Sequence, residues 1–292
     1  MSTLTGQVVA AYARRYTVET PAGPLTCLAK GRKQTIVCGD RVEIRRDGGD
    51  GVIERVLPRD TLLYRSDAFK TKAVAANVSQ LGVVVAARPS FSLELVQRCL
   101  LAAEDQGIAC LLVLNKVDLP ETAAARQQLE LLTRLDYPLV ELSAKRDASP
   151  LARRLPGHTT LLIGQSGMGK STLVNALFPG ADAATGDWST ALDSGRHTTT
   201  HTRLYRADDR GAALIDSPGL QEFALQHLDA DALARAFVEF RPYLGQCRFR
   251  DCRHDAEPGC ALAAAAASGA IAPARLALYQ NLRRARDSAA RF

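Results

Sequence analysis

The first 65 residues alternate apolar and polar positions in short segments separated by turn residues. This period of two predicts β-strands, because successive side chains of a strand face opposite sides. The predicted strands are Gln7–Ala13, Tyr16–Thr20, Leu25–Leu28, Arg41–Arg45 and Gly51–Val56. Several short strands at near-regular spacing are typical of a small barrel. We expect an OB-like β-barrel here, with an SH3-like barrel as the alternative.

From about residue 77 the pattern changes to fully apolar segments of strand length that alternate with helical segments. Strands are predicted at Leu81–Ala87, Ala109–Leu114, Leu139–Leu142, Thr160–Ile163 and Ala212–Ile215. Helices are predicted at Leu93–Gln106, Glu121–Leu135 and Thr172–Leu177. Strands that are apolar on both faces are typical of a parallel sheet covered by helices on each side. The middle of the chain is therefore predicted to be an α/β domain.

After about residue 236 the chain is rich in Arg and Cys, and then in Ala with a helical pattern. These three sequence patterns predict three domains, which comprise residues 1–66, 67–236 and 237–292. The predicted fold class is multidomain, with an OB-like β-barrel, a central α/β domain and a mostly helical C-terminal domain.

Composition narrows the class of protein. Of the 292 residues, 47% are hydrophobic, so the chain can bury sizeable cores and is not a disordered tail. Apolar runs such as Ala261–Ala267 are shorter than the roughly 20 residues that span a bilayer. The N-terminus has no basic start followed by an apolar block, so no signal peptide is predicted. Seven cysteines do not form a disulfide framework in a chain of this length. We expect a cytoplasmic monomer that does not contact membranes.

The net charge of +6 is unevenly distributed along the chain. Residues 1–65 and residues 237–292 each carry four more basic than acidic side chains, whereas residues 66–236 carry two more acidic ones. Basic surfaces favour polyanions through counterion release. RNA or DNA contacts at the two ends are one interpretation, and solvated surface charge is the other.

A glycine-rich segment between a predicted strand and a predicted helix matches the P-loop pattern. The glycines allow backbone N–H groups to wrap phosphates, Lys170 would reach the β- and γ-phosphates, and the Ser171 hydroxyl would bind Mg²⁺. A glycine-rich turn without a ligand is the alternative. The predicted phosphate-binding residues are Gly164, Gln165, Ser166, Gly167, Met168, Gly169, Lys170, Ser171 and Thr172.

A second phosphate motif, Asp-Ser-Pro-Gly at 216–219, follows the apolar strand Ala212–Ile215. Asp216 would hold Mg²⁺ through water, and Gly219 would offer a backbone N–H to a γ-phosphate. Such a motif is weak alone, but it becomes specific behind a P-loop.

A third motif, Asn-Lys-Val-Asp at 115–118, ends the strand Ala109–Leu114 and would read a base. Asp118 can accept hydrogen bonds from N1–H and the exocyclic amine of guanine, which adenine does not offer. The stem of Lys116 would lie over the base, and Asn115 would brace the loop. Ser143, Ala144 and Lys145 follow the next strand and would place a backbone N–H at the guanine O6.

Together these motifs resemble those of GTPases, in an unusual order. The base-reading motifs precede the phosphate-reading ones, which a circular permutation allows because the termini of compact domains are often close. The segment that senses phosphate is then the last one of the domain.

Residues 195–200, between the two phosphate motifs, resemble a switch segment. Three adjacent threonines follow His197, and we assign the Mg²⁺ contact to Thr199. Many GTPases place a water-orienting glutamine where this chain has Leu220. We therefore give catalytic roles to His197, Lys170 and Thr199. For His197 the alternative is a histidine that only packs or binds RNA.

A cysteine- and histidine-rich segment follows the α/β domain. Four soft ligands within a segment of low apolar content favour one tetrahedral structural zinc ion with no open position for catalysis. Loose or buried thiols with an incidental histidine are the alternative. The predicted ligands are Cys247, Cys252, His254 and Cys260.

The order of barrel, permuted GTPase and Cys3His segment resembles the RsgA/YjeQ family of circularly permuted GTPases that depend on the small ribosomal subunit. The segments 76–80 and 87–91 and the switch segment 195–200 also look like that family, and so does the hydrophobic Leu220. The resemblance implies a GTPase that acts late in small-subunit assembly and is stimulated by that subunit. It also implies GTP with Mg²⁺, one zinc ion, and contacts of the barrel and zinc segment with rRNA.

Two other functions are consistent with the residues. A nucleotide-gated RNA-binding protein with negligible hydrolysis would be released by exchange, and the absence of a glutamine at position 220 favours it. A P-loop ATPase or small-molecule kinase would bind ATP, and the motif at 115–118 argues against it.

Overall fold

The computed structural model describes residues 3–12, 15–31, 35–66, 71–181, 183, 202–207, 211–217, 225 and 227–289. It contains a closed barrel, an α/β sheet and a helical C-terminal module. Among the helices of these residues, none has both the length and the apolar character needed to cross a bilayer.

Five strands, in antiparallel and parallel pairings, close the N-terminal barrel. They are β1 (Thr3–Tyr12), β2 (Arg15–Thr20), β3 (Gly23–Ala29), β4 (Arg41–Asp47) and β5 (Asp50–Val56). They pair in the order β1-β2-β3-β5-β4, and β4 returns to β1 to close the barrel. This order confirms the OB-like barrel over the SH3-like alternative. The interior is filled by side chains with no exposed surface, namely Val8, Val18, Cys27, Val42, Ile44 and Ile53.

A hairpin that the sequence analysis does not predict follows the barrel. It comprises β6 (Leu62–Ser66) and β7 (Thr71–Ala76). An ion pair ties the segment that leads from the barrel into the hairpin: Asp40 is fully buried, and its carboxylate accepts from Arg59 at 2.6 Å. The same carboxylate accepts from the backbone N–H of Val37 at 2.8 Å, so the buried charge is partnered.

The α/β domain is built on a predominantly parallel sheet. Its strands are β8 (Gln80–Ala86), β9 (Ala109–Asn115), β10 (Leu139–Glu141), β11 (Thr159–Ile163), β12 (Arg203–Ala207) and β13 (Ala212–Asp216). The order is β10-β9-β8-β11-β13-β12, in which only β12 is antiparallel to its neighbour. The predicted α/β domain is confirmed.

Helices cover both faces of this sheet. They are α1 (Leu93–Asp105), α2 (Thr122–Thr133), α3 (Ser149–Ala152) and α4 (Lys170–Leu177). Alternate residues of the central strand face opposite sides: Val83 packs with the core under α1 and α2, and Val84 packs with the core under α3 and α4. The carboxyl ends of β8, β9 and β11 therefore meet at one edge between the two layers.

Strand β12, which the sequence analysis does not predict, joins the two sheets. It pairs with β13 along its length and contacts β1 at the register pair Ala10 and Arg203. The barrel and the α/β sheet thus form one connected set of eleven strands.

The C-terminal module is mostly helical, as predicted. Helix α5 (Ala230–Ala236) leads into it, and it comprises a 3₁₀ helix (Val238–Tyr243), α6 (Ala261–Ala267) and α7 (Pro273–Ala289). An aromatic cluster forms its core: Phe237 and Phe240 stack at 4.6 Å between ring centroids, and Tyr279 meets both rings edge-on. These side chains belong to the same buried core as α1, so the module packs directly on the α/β domain.

Candidate functional site

The glycine-rich loop lies between β11 and α4, where the sequence predicts a P-loop. The helix begins at Lys170, two residues earlier than expected. Gly164 adopts φ +153°, and a Cβ there would lie 2.3 Å from the carbonyl oxygen of Val84. Gly169 adopts φ +92° directly before the helix. Both positions need glycine, because each has a positive φ that side chains disfavour, and at Gly164 a Cβ would also collide with the backbone of Val84.

The amino group of Lys170 is buried in this loop. It donates to the carbonyl oxygens of Gly164 at 2.9 Å and Gln165 at 3.1 Å. Burial lowers its pKa to about 8, and the nearby Asp216 carboxylate acts in the opposite direction. A buried cation that donates to loop carbonyls is suited to a phosphate ligand, which would supply a compensating negative charge.

Asp216 ends β13 beside Lys170, as predicted for a carboxylate at a strand end. Burial raises its pKa to about 6, and Lys170 opposes this shift. Its Oδ1 is buried and has no hydrogen-bond partner among the described residues. This orphaned acceptor fits a hydrated Mg²⁺ ion, whose water molecules would donate to it. The neighbouring Ser217 hydroxyl donates to the carbonyl of Leu162 at 2.9 Å, which fixes the end of the strand.

Asn115 connects the two base-reading segments to the P-loop. Its side-chain N–H₂ donates to the carbonyl of Met168 at 2.9 Å, and its Oδ1 accepts from the backbone N–H of Ala144, also at 2.9 Å. The same oxygen accepts from the N–H of Lys116 at 2.8 Å. One buried amide thus brings together three loops that are far apart in sequence.

Lys116 reaches across to the P-loop. Its ammonium donates to the carbonyls of Gly167 at 2.7 Å and Arg88 at 2.9 Å. Its pKa is lowered chiefly by burial and also by nearby Lys145. The side-chain stem is thereby held over the space between the loops, in agreement with a role beside a base plane.

Asp118 presents an exposed carboxylate at the mouth of this site. The side chain of Ser143 donates a hydrogen bond to it and lowers its pKa, so the group is ionised at neutral pH. Lys145 and Arg146 act in the same direction through their charge. An ionised, accessible carboxylate has the acceptor capacity that the guanine edge requires.

The structure therefore brings together the predicted residues of 115–118, 143–145, 164–172 and 216. The predicted His197, Thr199 and Gly219, together with Leu220, lie outside the described residues. Among the contacts that sequence reasoning missed, one reaches the P-loop from a distant segment: the side-chain Oε1 of Gln165 accepts from the backbone N–H of Ser92 at 2.7 Å. Gln165 occupies a variable position of the P-loop pattern, so only the distant partner gives it a role.

The four predicted metal ligands form one cluster in the C-terminal module. The ligand atoms of Cys247, Cys252, His254 and Cys260 all lie within 4.8 Å of one another. Nδ1 of His254 is 3.4 Å from Sγ of Cys247 and 3.5 Å from Sγ of Cys260. Tetrahedral zinc with ordinary Zn–S and Zn–N bond lengths would separate such ligands by about 3.5 Å. The donor set and its spacing fit structural zinc.

The other four cysteines lie outside this cluster. Cys27, Cys38 and Cys99 are buried in cores, whereas Cys110 is half-buried.

Helix α7 holds the loop that carries the four ligands, residues 247–260 (the metal loop). The side-chain amide of Gln280 donates to the carbonyls of His254 at 2.9 Å and Asp255 at 3.1 Å. Arg283 donates to the carbonyl of Arg253 at 2.8 Å. The backbone of the loop is therefore fixed by helix α7, whose Arg275 donates to Gln97 of α1.

A family model described as RsgA GTPase matches residues 56–226, more than half of the chain. Two curated proteins, each named small ribosomal subunit biogenesis GTPase RsgA, are similar over nearly the whole length. The protein of Nitrosomonas europaea is 53% identical over 287 residues, covering 96% of this chain and 91% of the relative. The protein of Neisseria meningitidis serogroup B is 55% identical over 281 residues, covering 95% and 91%.

Two solved structures share the fold. The crystal structure of YjeQ from Thermotoga maritima superposes with a TM-score of 0.74 at 31% identity, covering 98% of this chain and 99% of that one. YloQ, described as a circularly permuted GTPase, superposes with a TM-score of 0.70 at 22% identity, covering 98% and 96%. The order of motifs along this chain is that of a permuted GTPase.

Proposed function

Since this chain belongs to the RsgA GTPase family and is therefore a GTPase of ribosome maturation, we propose that small ribosomal subunits stimulate its hydrolysis of GTP. It acts as a late maturation factor of that subunit, binds as the GTP form and leaves after hydrolysis. It works in the cytoplasm as a monomer. Its partners are GTP or GDP and the small subunit with its rRNA.

The observation that carries the GTP site is the bridging by Asn115. A permuted chain can form one nucleotide site only if segments 115–118 and 143–145 meet the P-loop. The hydrogen bonds of Asn115 to Met168 and Ala144 join all three. Guanine would accordingly lie at Asp118 with its phosphates over the P-loop.

Each group at the site has a proposed task. Backbone N–H groups of the P-loop and the ammonium of Lys170 hold the phosphates. Asp118 reads the guanine edge, and the backbone at Ala144 meets O6. Ser171 and Thr199 would hold Mg²⁺, with Asp216 acting through water, and the ion would neutralise charge on the β- and γ-phosphates.

Hydrolysis needs a water molecule placed in line with the γ-phosphate. We assign its orientation to His197, because the Leu220 side chain cannot accept or donate a hydrogen bond at the position where many GTPases have glutamine. Gly219 would contact the γ-phosphate through its backbone N–H.

The barrel and the C-terminal module are proposed to contact rRNA. Both ends of the chain are basic, and exposed arginines cluster beside the metal loop. The guanidinium of Arg248 lies 5.4 Å from the ring centroid of Phe249, which is itself exposed. Exposed cations interleaved with aromatic rings suit a nucleic-acid surface. One zinc ion would hold this loop in place. The three proposed domains comprise residues 1–66, 67–236 and 237–292.

The test is GTP hydrolysis by the purified chain alone, with small subunits, and with large subunits, with ATP in place of GTP as the specificity control. We expect stimulation by small subunits only. Lys170→Ala should lose nucleotide binding and turnover and serves as the inactive control. His197→Ala should retain GTP binding but lose the stimulated rate. Equal stimulation by both subunits, or by neither, would overturn the proposed dependence on the small subunit.

A further inference from the structure

Helix α1 begins at the nucleotide loop. Ser92 caps this helix: its Oγ accepts from the N–H of Leu95 at 3.2 Å, and its own N–H donates to Gln165 of the P-loop at 2.7 Å. This hydrogen bond therefore links the position of the Gln165 side chain to the first turn of α1.

The same helix contacts the C-terminal module along its length. Arg275 of α7 is only 1% exposed and donates to Oε1 of Gln97 in α1 at 2.8 Å. Its charge is matched by Glu239 at 2.6 Å, and its guanidinium lies 4.4 Å from the ring centroid of Phe237. A buried guanidinium with these partners has little freedom to move independently of α1.

A second ion pair joins α1 to the module nearer the other end of the helix. Arg241 of the 3₁₀ helix donates to Glu104 at 2.7 Å. Beyond Arg275, helix α7 holds the metal loop through Gln280. A continuous set of packed and hydrogen-bonded groups thus connects the P-loop to the metal loop through α1.

Gln165 is also where the P-loop would change when a nucleotide binds. Lys170 donates to the carbonyl of Gln165 in the structure. A phosphate would compete for that ammonium and release the carbonyl, so the backbone of Gln165 has two hydrogen-bonding arrangements. Both GDP and GTP present α- and β-phosphates to this loop.

We propose that nucleotide occupancy of the P-loop, transmitted through Gln165, Ser92 and α1, stabilises the packing of the C-terminal module on the α/β domain. The coupling rests on the proposed GTP site. It depends on occupancy rather than on the γ-phosphate, so GDP and a GTP analogue act alike. Coupling between binding sites is reciprocal, so loss of zinc should also weaken nucleotide binding by the same factor.

The test measures the rate at which a chromophoric chelator removes zinc from the full-length zinc-loaded protein. Rates are compared without nucleotide, with Mg·GDP and with a Mg-bound non-hydrolysable GTP analogue; Mg·ADP controls for metal binding by nucleotide. Both guanine nucleotides should slow zinc removal by about fivefold, a typical size for a coupling between sites. Nucleotide binding is measured separately by fluorescence titration, and every rate is taken at saturation.

Variants test whether the coupling passes from the P-loop through α1 to the C-terminal module. Gln165→Met removes the acceptor for Ser92, and Gln97→Leu removes one acceptor for Arg275; each should abolish the nucleotide effect. Gln97→Glu keeps an acceptor and should retain it, which protects the test if Gln97→Leu folds poorly. Arg284→Ala is the matched control on α7 and should keep the nucleotide effect, because Arg284 pairs with Asp255 inside the module and not with α1.

Failure of guanine nucleotides to bind at all would overturn the proposed GTP site. Saturable binding with an unchanged rate of zinc removal would overturn the coupling alone. Retention of the nucleotide effect in Gln165→Met would also overturn the route through α1, as would slowing by the GTP analogue but not by GDP.

Discussion

Gly169 of the P-loop lies against the side chain of Asn115, so closely that a Cβ at Gly169 would be 2.3 Å from Nδ2 of Asn115. The close approach is what allows the P-loop and the base-reading strand to share one site. Any side chain at Gly169 would displace the amide that holds three loops together.

We expect Gly169→Ala to weaken guanine nucleotide binding by about tenfold or more, since such a displacement costs at least about 1.4 kcal/mol. Gly180→Ala is the matched control. Gly180 has nearly the same backbone angle, φ +86° against +92°, but a Cβ added there would have no other atom within 4 Å. It should lose about 1 kcal/mol of stability from backbone strain and bind nucleotide normally. Titration with a fluorescent GDP checks both, and equal effects would contradict the packing argument.

Base selectivity is expected to reside in Asp118. Asp118→Asn should raise the dissociation constant for GTP on the order of 100-fold, because two hydrogen bonds to a charged acceptor are lost or reversed. The same change should improve binding of xanthosine nucleotides, whose base presents an oxygen in place of the amine. Competition titrations with GTP and XTP measure this. Asp136→Asn, at an exposed turn with the same change of charge, should leave both affinities as they are.

Metal binding is expected to require all four ligands. Elemental analysis of the purified chain should give about one zinc per molecule, the stoichiometry of a closed tetrahedral site. Cys260→Ser should lose the metal and lower the unfolding temperature of the C-terminal module, since binding and folding are linked at such sites. Cys110→Ser removes a thiol outside the cluster and should keep the full zinc content. A wild-type protein without zinc, purified in the absence of chelators, would refute the site.

The buried pair of Arg275 and Glu239 should contribute strongly to stability. Arg275→Ala leaves a buried carboxylate without its partner, which typically costs about 3–5 kcal/mol. Chemical denaturation at constant zinc measures the loss, and Glu239→Gln should also be costly because it leaves the guanidinium charge of Arg275 buried without a counter-charge. The surface pair of Arg126 and Glu141 provides the contrast: Arg126→Ala should change stability little because that side chain is half exposed. Equal losses in the two arginine variants would contradict the role of burial.

The elements with clear periodicity were predictable from the sequence. β8 is buried at every position, and its apolar run predicts a strand covered on both faces. The motifs at 115–118 and 164–171 predict a shared site because both follow parallel strands, whose carboxyl ends meet at one edge. The family membership and GTPase activity that the motifs predict are confirmed, whereas the individual tasks of the site residues stay predictions.

Other features depend on partners distant in sequence. In β12 only Leu204 is buried, so five residues carry no strong period of two. Arg275 resembles any surface arginine of a helix until Gln97, 178 positions away, and Glu239 enclose it. Gln165 likewise gains its contact from Ser92, 73 positions earlier. Local patterns do not contain such long-range pairings.

The permuted order also determines which parts of the nucleotide site are synthesised first. The central strand β8 needs β11 as a neighbour, and Thr160 donates to Gln80 across 80 positions of chain. While the protein is being made, the barrel can close first, because its five strands are complete by Val56. The nascent α/β sheet then holds β8 and β9 with one edge of β8 unpaired until β11 has left the ribosome. The strands β8 and β9, the second of which ends at Asn115, are thus made before the P-loop that Asn115 contacts, and the predicted nucleotide site cannot be complete before Asp216 has been added.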